Sequence, residues 1–263
     1  MLTSPGANGE SLLEELQHSF DPQYVFSFGG TGMTQYILWL IICAALTLIV
    51  VLVAAKRIEV VPSNKFANMV EYGYRSVCKN MGENAIGHGY EKHMSLLATM
   101  FFFILISNVI GLIPGFKTPT GTISVTWALS TVSFVYFNYM GVKARGGWGY
   151  IKSIAPSGLP APMVPIIWFF ELISLVLRWL TLAVRLYGNM FAGHMVLGIF
   201  SLMTYVFIAG AIQSMSLLVG LPAIAWFLLL IAMYALECLV AFLQAYVFTI
   251  LSACYIGLAT SAH

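Results

Sequence analysis

The chain has 263 residues, of which 60% are hydrophobic and only 8% are charged, and its net charge is +2. Soluble domains carry about 25% charged residues, so the composition excludes a soluble globular protein and predicts an integral membrane protein. The long apolar runs exclude a membrane β-barrel, which needs alternating segments of about 10 residues. The sequence also lacks a basic patch of the kind that would indicate nucleic-acid binding. We therefore expect one all-α membrane domain over residues 1–263.

The chain begins with a polar, acidic segment over residues 1–35, which contains no Lys or Arg. Residues 11–20 of this segment could form a short helix. The uncharged run 36–55 follows and is long enough to be the first membrane span. Lys56 and Arg57 come directly after this run, so the positive-inside rule places this end in the cytoplasm and residues 1–35 outside.

Residues 62–80 form an amphipathic pattern. The face predicted to be apolar carries Phe66, Met69, Val70, Gly73 and Val77. This pattern predicts an interfacial helix on the cytoplasmic membrane surface, and the alternative is a short helix packed on another subunit. The connection that follows contains His88 and His93, which we expect at the surface rather than in a metal site.

The second and third spans are expected over residues 94–113 and 123–142. Ser107 and Asn108 interrupt the second span, and they can either bond a neighbouring helix or line a wet cavity. Six of the twelve Lys and Arg residues lie between the first two spans, and three more follow the third. This distribution predicts that the N-terminus is outside and residue 152 is in the cytoplasm.

From residue 163 the chain is apolar almost to its end. Residues 163–201 would make a helix of about 60 Å, which is twice the hydrocarbon thickness. This helix must therefore break, with Gly188 and Gly193 as candidate bends, or lie strongly tilted. The chain is expected to reverse over residues 210–222, before a last long helix over 223–259.

The sequence thus predicts a bundle over residues 36–260 with five membrane-embedded helices and one interfacial amphipathic helix. The last two helices are long and form a strongly tilted hairpin. Five spans place the C-terminus in the cytoplasm.

A stripe of polar residues runs along the fourth predicted span. Its members follow at steps of three or four residues and share one helix face: Glu171, Ser174, Arg178, Thr181, Arg185 and Asn189. An arginine near the bilayer centre costs about 3 kcal/mol, so two of them indicate a functional site. The alternative for Arg178 is a helix-end arginine that snorkels to the headgroups and pairs with Glu171.

Two titratable residues lie on other faces of the last two helices. His194 is nine residues beyond Arg185, which puts it about 180° around the helix. Glu237 shares a face of the last helix with Gln244. A His and a Glu on neighbouring helices suggest a proton path. The alternatives are a helix–helix hydrogen bond for His194, and a salt bridge from Glu237 to Arg185 or Arg178. The four cysteines indicate neither disulfides nor a metal site.

Three motifs carry a resemblance to a known family. Leu182 to His194 reads L-A-V-R-L-Y-G-N-M-F-A-G-H, Ser107 to Thr120 contains S-N-V-I-G-L-I-P-G-F and T-P-T, and Leu243 to Phe248 reads L-Q-A-Y-V-F. With their order, their spacing and the five-span layout, these motifs resemble subunit a of F-type ATP synthases over about residues 36–260.

The resemblance implies a proton-conducting stator subunit with two aqueous half-channels, with no catalytic site or cofactor of its own. Arg185 matches the essential arginine that faces the carboxylate of a rotating c-subunit ring. Asn189 and Gln244 match positions near it, and Glu171, His194 and Glu237 match half-channel positions. Ser174, Arg178, Thr181 and Asn108 are candidates for support.

The resemblance also implies c-ring, peripheral-stalk b subunit and membrane-lipid partners in a bacterial plasma membrane. It implies H⁺ as the translocated ion and does not exclude Na⁺. Trp179 is a departure, since many relatives have proline there. The competing interpretation is a secondary transporter or ion channel with an intramembrane His/Glu/Arg pathway, but the sequence contains no internal repeat.

Overall fold

The computed structural model describes residues 24–28, 31–56, 65–87, 89–113, 115–154, 163–214 and 217–260. Helices dominate this part of the chain, which confirms the predicted all-α membrane protein. The helices are α1 Gln35–Lys56, α2 Lys65–Ser76, α3 Glu91–Gly111, α4 Ile123–Arg145, α5 Gly147–Ser153, α6 Val164–Ser214 and α7 Leu217–Thr260. A π-helical segment, Val77–Glu83, extends α2, and a 3-10 turn, Pro119–Gly121, precedes α4.

Two short strands precede α1. The strands β1, Tyr24–Phe28, and β2, Thr31–Thr34, pair antiparallel with Phe28 opposite Thr31. The hairpin was not expected, although two glycines between segments rich in aromatic and β-branched residues are a common hairpin pattern. The short helix expected over residues 11–20 lies outside the described residues.

Four of the described helices are long and apolar enough to cross a membrane: α1, α3, α6 and α7. Helix α4 has 23 residues, which is long enough to span, but Ser and Thr make up a larger share of it than of the other long helices. The predicted count of five membrane-embedded helices therefore stays a prediction, although the five long helices themselves are present.

The last two long helices form the hairpin expected from the sequence. Helix α6 is continuous over 51 residues, about 76 Å at 1.5 Å per residue, so neither Gly188 nor Gly193 breaks it. It extends further than expected, and α7 begins before Pro222, so the predicted reversal over residues 210–222 is too wide. The two helices share the most extensive contact of any described pair.

The core lies where α3, α4, α6 and α7 meet. Its largest fully buried apolar side chains include Leu97 and Ile104 of α3, Leu186 of α6 and Phe248 of α7. These side chains interdigitate because Ser, Gly and Ala at neighbouring positions let the helices approach closely. The buried centre of the molecule is therefore formed by the helices that carry the candidate site.

The amphipathic helix α2 packs against this core through part of its predicted apolar face. Val70 contacts the core, and Gly73 lies against the Phe102 ring. Met69, on the same predicted apolar face, does not join the core, and its side chain is 67% exposed. The helix thus presents apolar surface on both its inner and its outer side.

His93 is buried, contrary to the prediction of a surface histidine. Its Nδ1 atom lies 3.0 Å from the Tyr136 hydroxyl, and the two rings meet edge to face. Tyr136 of α4 thus reaches the first turn of α3, and its phenol satisfies an imidazole that burial would otherwise leave without a partner. His88 lies outside the described residues.

Candidate functional site

Arg185 lies on the exposed surface of α6, in the middle of a long apolar helix. It makes no hydrogen bond or ion pair with any residue that the structure describes. Leu182 and Leu186, on either side of it in sequence, point into the core and are buried. The fold therefore turns the guanidinium away from the interior and towards whatever surrounds the bundle.

Arg178 has partners, in contrast to Arg185. Its guanidinium lies 3.6 Å from the Glu171 carboxylate, two helical turns earlier, and 5.7 Å from the centre of the Tyr255 ring. Half-exposed side chains make this a weak ion pair in energetic terms. Thr181 hydrogen-bonds the Arg178 carbonyl at 3.1 Å, and Ser174 is half-buried beside it. The pairing of Arg178 with Glu171 is the one expected of a helix-end arginine.

A cavity of about 250 Å³ opens beside this pair, and we call it the Arg178 cavity. Its polar lining consists of Arg145, Tyr150, Glu171, Arg178 and Tyr255. These residues come from α4, α5, α6 and the end of α7. Burial raises the pKa of the Tyr150 phenol, and its hydroxyl donates to the Asn138 side-chain oxygen at 2.9 Å.

Glu237 and His194 lie at the same level of the α6–α7 hairpin. The Glu237 carboxylate packs directly against Gly193, and it would overlap with a side chain at that position. Glu237 is only 5% exposed, which is unusual for a carboxylic acid. No described ion pair joins Glu237 to Arg185 or Arg178. The imidazole of His194 points elsewhere, with its Nε2 atom beside Gly111 at the end of α3.

A second cavity, of about 260 Å³, contains His194, and we call it the His194 cavity. Its polar lining consists of Tyr36, Lys117, Thr118, His194, Ser201 and Tyr234. Tyr234 lies one helical turn before Glu237 on α7. The cavity therefore connects the start of α1 and the α3–α4 loop to the level of Glu237.

The two cavities lie at opposite ends of the bundle. Gly121, just before α4, lines the His194 cavity, whereas Arg145, at the end of α4, lines the Arg178 cavity. Along α6, Arg185 lies between Arg178 and His194, seven and nine residues from them. The exposed arginine thus lies, along α6, between two polar cavities at opposite ends of the bundle.

Two amide groups near Arg185 lack partners. The Asn189 Nδ2 and Gln244 Nε2 atoms are buried, and neither has a hydrogen bond among the described residues. The contact between Gly193 and Glu237 sets an antiparallel register that brings Arg185 level with Gln244. Buried donors without acceptors are uncommon in folded proteins, so these two mark a place for a polar partner.

Asn108 bonds a neighbouring helix rather than lining a wet cavity, which were the two alternatives left open by the sequence. Its side-chain nitrogen donates to the Ala241 carbonyl at 3.3 Å, and its oxygen accepts from the Thr120 hydroxyl at 2.7 Å. Asn108 is 1% exposed and does not line either cavity. It therefore holds the α3–α4 loop and α7 together.

The sequence indicated no role for several residues of the site. Lys117, Tyr234 and Tyr150 line the cavities, and Gly111 makes room for His194. Lys117 could have been singled out from the sequence, because it is the only basic residue expected in an outer loop. Tyrosines in apolar helices have no spacing or charge that distinguishes a cavity-lining residue from a core residue. Within the described residues, no group of three His, Cys, Asp or Glu side chains could hold a metal ion.

Comparison with known proteins shows a match to the sequence profile described as ATP synthase A chain, over residues 37–257. The chain is 34% identical over 249 residues to ATP synthase subunit a 2 of Prosthecochloris aestuarii, covering 91% of this chain and 72% of that protein. It is 37% identical over 231 residues to ATP synthase subunit a of a Nocardioides species, covering 86% and 81%. The corresponding protein of Chlorobium phaeobacteroides is 34% identical over 266 residues, covering 96% and 74%.

Proposed function

The chain belongs to the ATP synthase A chain family, and from this premise we propose that it is the proton-conducting stator subunit of a rotary ATP synthase. In this role it conducts ions past a rotating ring of c subunits, each with a membrane carboxylate. The observation that carries the proposal is the position of Arg185, exposed and without a described partner between two polar cavities at opposite ends of the bundle.

The two cavities are the inner parts of two aqueous half-channels. The His194 cavity leads towards Glu237, and the Arg178 cavity contains Glu171 and Arg178, with Ser174 and Thr181 nearby on the helix. Imidazole and carboxylate groups exchange protons near neutral pH, so His194 and Glu237 can pass a proton between water and the ring. Glu171 does the same on the other side.

Arg185 keeps the two half-channels separate. A ring carboxylate is stable in lipid only when it is protonated, and it can lose its proton where a cation compensates the charge. Arg185 supplies that cation, and because a guanidinium stays charged it does not act as a proton relay between the half-channels. Protons must therefore travel on the ring.

The surface around Arg185 fits a lipid-embedded partner. The exposed side chains on the adjoining side of α6 are apolar and include Ile173, Leu177 and Val184. The unsatisfied amides of Asn189 and Gln244 lie near Arg185 and suit an incoming carboxylate. We assign this face to the c-subunit ring, and other surfaces to peripheral-stalk b subunits and membrane lipid.

We place the chain in the plasma membrane of a bacterium as a multi-pass protein, with its N-terminus outside and its C-terminus in the cytoplasm. The start of α1 and the end of α7 lie at opposite ends of the bundle, beside different cavities. Lys and Arg residues concentrate between α1 and α3 and after α4, which favours the cytoplasm for those segments. The His194 cavity then opens outside.

Replacement of Arg185 tests the proposal. In the assembled complex in inverted vesicles, Arg185→Ala should abolish ATP-driven proton pumping. Arg185→Lys should slow it severely, because a lysine that the ring shields from water can lose its proton. Lys143→Ala is the control, because it removes an exposed cation in the last turn of α4, and the complex that carries it should pump normally. Normal pumping by Arg185→Ala, at an unchanged level of the chain in the membrane, would refute the proposed role.

A further inference from the structure

Arg178 and Arg185 lie on the same face of α6, seven residues and about 10 Å apart along the helix axis. The proposed stator needs one cation for the ring carboxylate, because a cation beside a carboxylate favours its ionised form. A second free cation on this face would hold the carboxylate ionised at a distance from Arg185. The two arginines therefore need different surroundings.

The structure gives the two arginines different surroundings. Arg185 is exposed and pairs with none of the described residues, whereas Arg178 is half-buried at the wall of the Arg178 cavity. Two groups contact the Arg178 guanidinium. One is the Glu171 carboxylate, 3.6 Å away on the same helix, and the other is the ring of Tyr255 on α7, whose centre lies 5.7 Å away. Arg178 is thus held from two helices.

The ion pair alone does not hold Arg178 at the cavity wall. The Glu171 side chain is 39% exposed and that of Arg178 is 32% exposed, and water weakens an ion pair of this kind. Both residues also lie on the face of α6 that carries Arg185, so their pairing leaves the guanidinium on that face. Among the described contacts, the Tyr255 ring is the one that draws the guanidinium towards the Arg178 cavity, which both residues line.

The Tyr255 ring is itself fixed by α4. Phe137 of α4, which is 4% exposed, meets it with ring centres 5.9 Å apart. Three residues earlier on α7, the Ser252 hydroxyl accepts a hydrogen bond from the Ser133 hydroxyl at 2.8 Å, which ties this part of α7 to α4. The attraction between a cation and an aromatic ring depends on the cation lying over the ring face. A ring fixed in this way keeps that geometry.

We infer that Tyr255 is a positioning residue that keeps Arg178 at the wall of its cavity, so that a ring carboxylate meets Arg185 as its single cation. This inference rests on the proposed function. A carboxylate binds a guanidinium more strongly in lipid than in water, because little solvent screens the charges. An Arg178 released from Tyr255 would therefore compete with Arg185 for the carboxylate and delay each step of the ring.

Combined replacements of Tyr255 and Arg178, in the assembled complex in inverted vesicles, test this inference. Tyr255→Leu removes the ring and should slow ATP-driven proton pumping about threefold to tenfold, the range expected for loss of a cation–ring contact. The double variant Tyr255→Leu with Arg178→Gln should pump faster than Tyr255→Leu, at the rate of Arg178→Gln alone, because no competing cation remains. Tyr255→Phe keeps the ring face and should pump several times faster than Tyr255→Leu.

Arg145 provides the matched control for this relief. It lines the same cavity, but it comes from the end of α4 and not from the arginine face of α6. Arg145→Gln combined with Tyr255→Leu should therefore pump no faster than Tyr255→Leu alone. If Arg145→Gln relieves the defect as well as Arg178→Gln does, the total charge of the cavity causes it, and the inference is wrong.

A second variant decides the question if Tyr255→Leu does not accumulate in the membrane. Phe137→Leu leaves Tyr255 in place but removes the ring that fixes it, so it should also slow pumping and be relieved by Arg178→Gln. A defect in either variant that Arg178→Gln does not relieve would show that Tyr255 acts through packing only, which overturns the inference. Undiminished pumping by Tyr255→Leu would overturn it as well.

Arg185→Ala separates this inference from the proposed function. Loss of pumping in Arg185→Ala, together with any of these contrary results, removes the role of Tyr255 alone. Undiminished pumping in Arg185→Ala contradicts the proposed function itself, whatever the variants of Tyr255 do.

Discussion

Two glycines determine where the titratable side chains of the site can lie. Gly193 accepts the Glu237 carboxylate against its backbone, and Gly111 does the same for the His194 imidazole. A side chain at Gly193 would displace the Glu237 carboxylate, whereas one at Gly111 would first displace Thr118 and would lie tightly against the His194 Nε2 atom. The sequence identified His194 and Glu237, but it suggested a helix bend at Gly193, because spacing along one helix does not show which surface another helix approaches.

We predict that Gly193→Ala slows ATP-driven proton pumping about tenfold, because the new methyl group pushes the Glu237 carboxylate out of place and small misplacements at reacting groups have effects of this order. Gly147→Ala, at the exposed start of α5 and away from the arginine-bearing face of α6, is the control. No atom lies within 4 Å of a methyl group there, and alanine is the better helix former, so activity should be retained. Equal activity of the two variants would show that Glu237 does not need this position.

Helix α4 acts as an anchor for the stretch of α6 that carries the arginines. The Ser130 hydroxyl donates to the Trp179 carbonyl at 2.6 Å, and the Trp179 indole nitrogen donates to the Thr131 hydroxyl at 3.1 Å. The Trp127 ring meets Trp179 edge to face, with centres 4.7 Å apart. These contacts explain the hydroxyl groups in the middle of α4 and give Trp179 a structural role.

We expect Trp179→Phe to lower the free energy of unfolding by about 1 kcal/mol, since one interhelical hydrogen bond in a membrane protein contributes about that much. Proton pumping should persist, because the ring still packs on α4. Thermal unfolding of the purified protein in detergent measures the change. Trp148→Phe is the control, since Trp148 is 83% exposed on α5. If both variants melt alike, the hydrogen bond to Thr131 does not hold α6.

The helices most faithfully predicted are those whose ends carry a clear signal in the sequence, either a charge or a Pro-Gly pair. Helices α1 and α3 end within a few residues of the expected spans, because Lys56 and the Pro114-Gly115 pair terminate uncharged runs. The extension of α6 to Ser214 was missed, because Gly210 and Gln213 resemble turn residues when no neighbour is known. The α5 helix and the burial of His93 depend on packing against α4, which no local pattern reveals.

At the scale of the whole molecule, the two cavities lie towards opposite ends of the bundle, with Arg185 between them along α6. The His194 cavity lies at the end of the bundle where α1 begins, and the Arg178 cavity lies where α7 ends. The resemblance in the sequence implied residues for both half-channels, but it did not place them. Their separation depends on α6 running unbroken between them, which the sequence left open.

Cysteine labelling from each side of the membrane checks the proposed orientation of these cavities. In a background without the native cysteines, a cysteine at Asn84 should react only with reagent in the cytoplasm, and one at Ser11 only with reagent outside. Asn84 is exposed in the connection after α2, and the basic residues around it favour the cytoplasmic side. Reaction of the Asn84 cysteine from outside alone would reverse the proposed orientation of both cavities.

The exposed guanidinium of Arg185 also has a consequence for biogenesis. A newly inserted chain presents this cation to lipid, at a cost of about 3 kcal/mol on insertion scales, until an acidic partner arrives. The chain is therefore less stable alone than in its complex, and an orphaned copy is a natural target for membrane quality control. The residue that we propose for ion transport would thus also impose an order of assembly, in which the ring is needed before this subunit can persist.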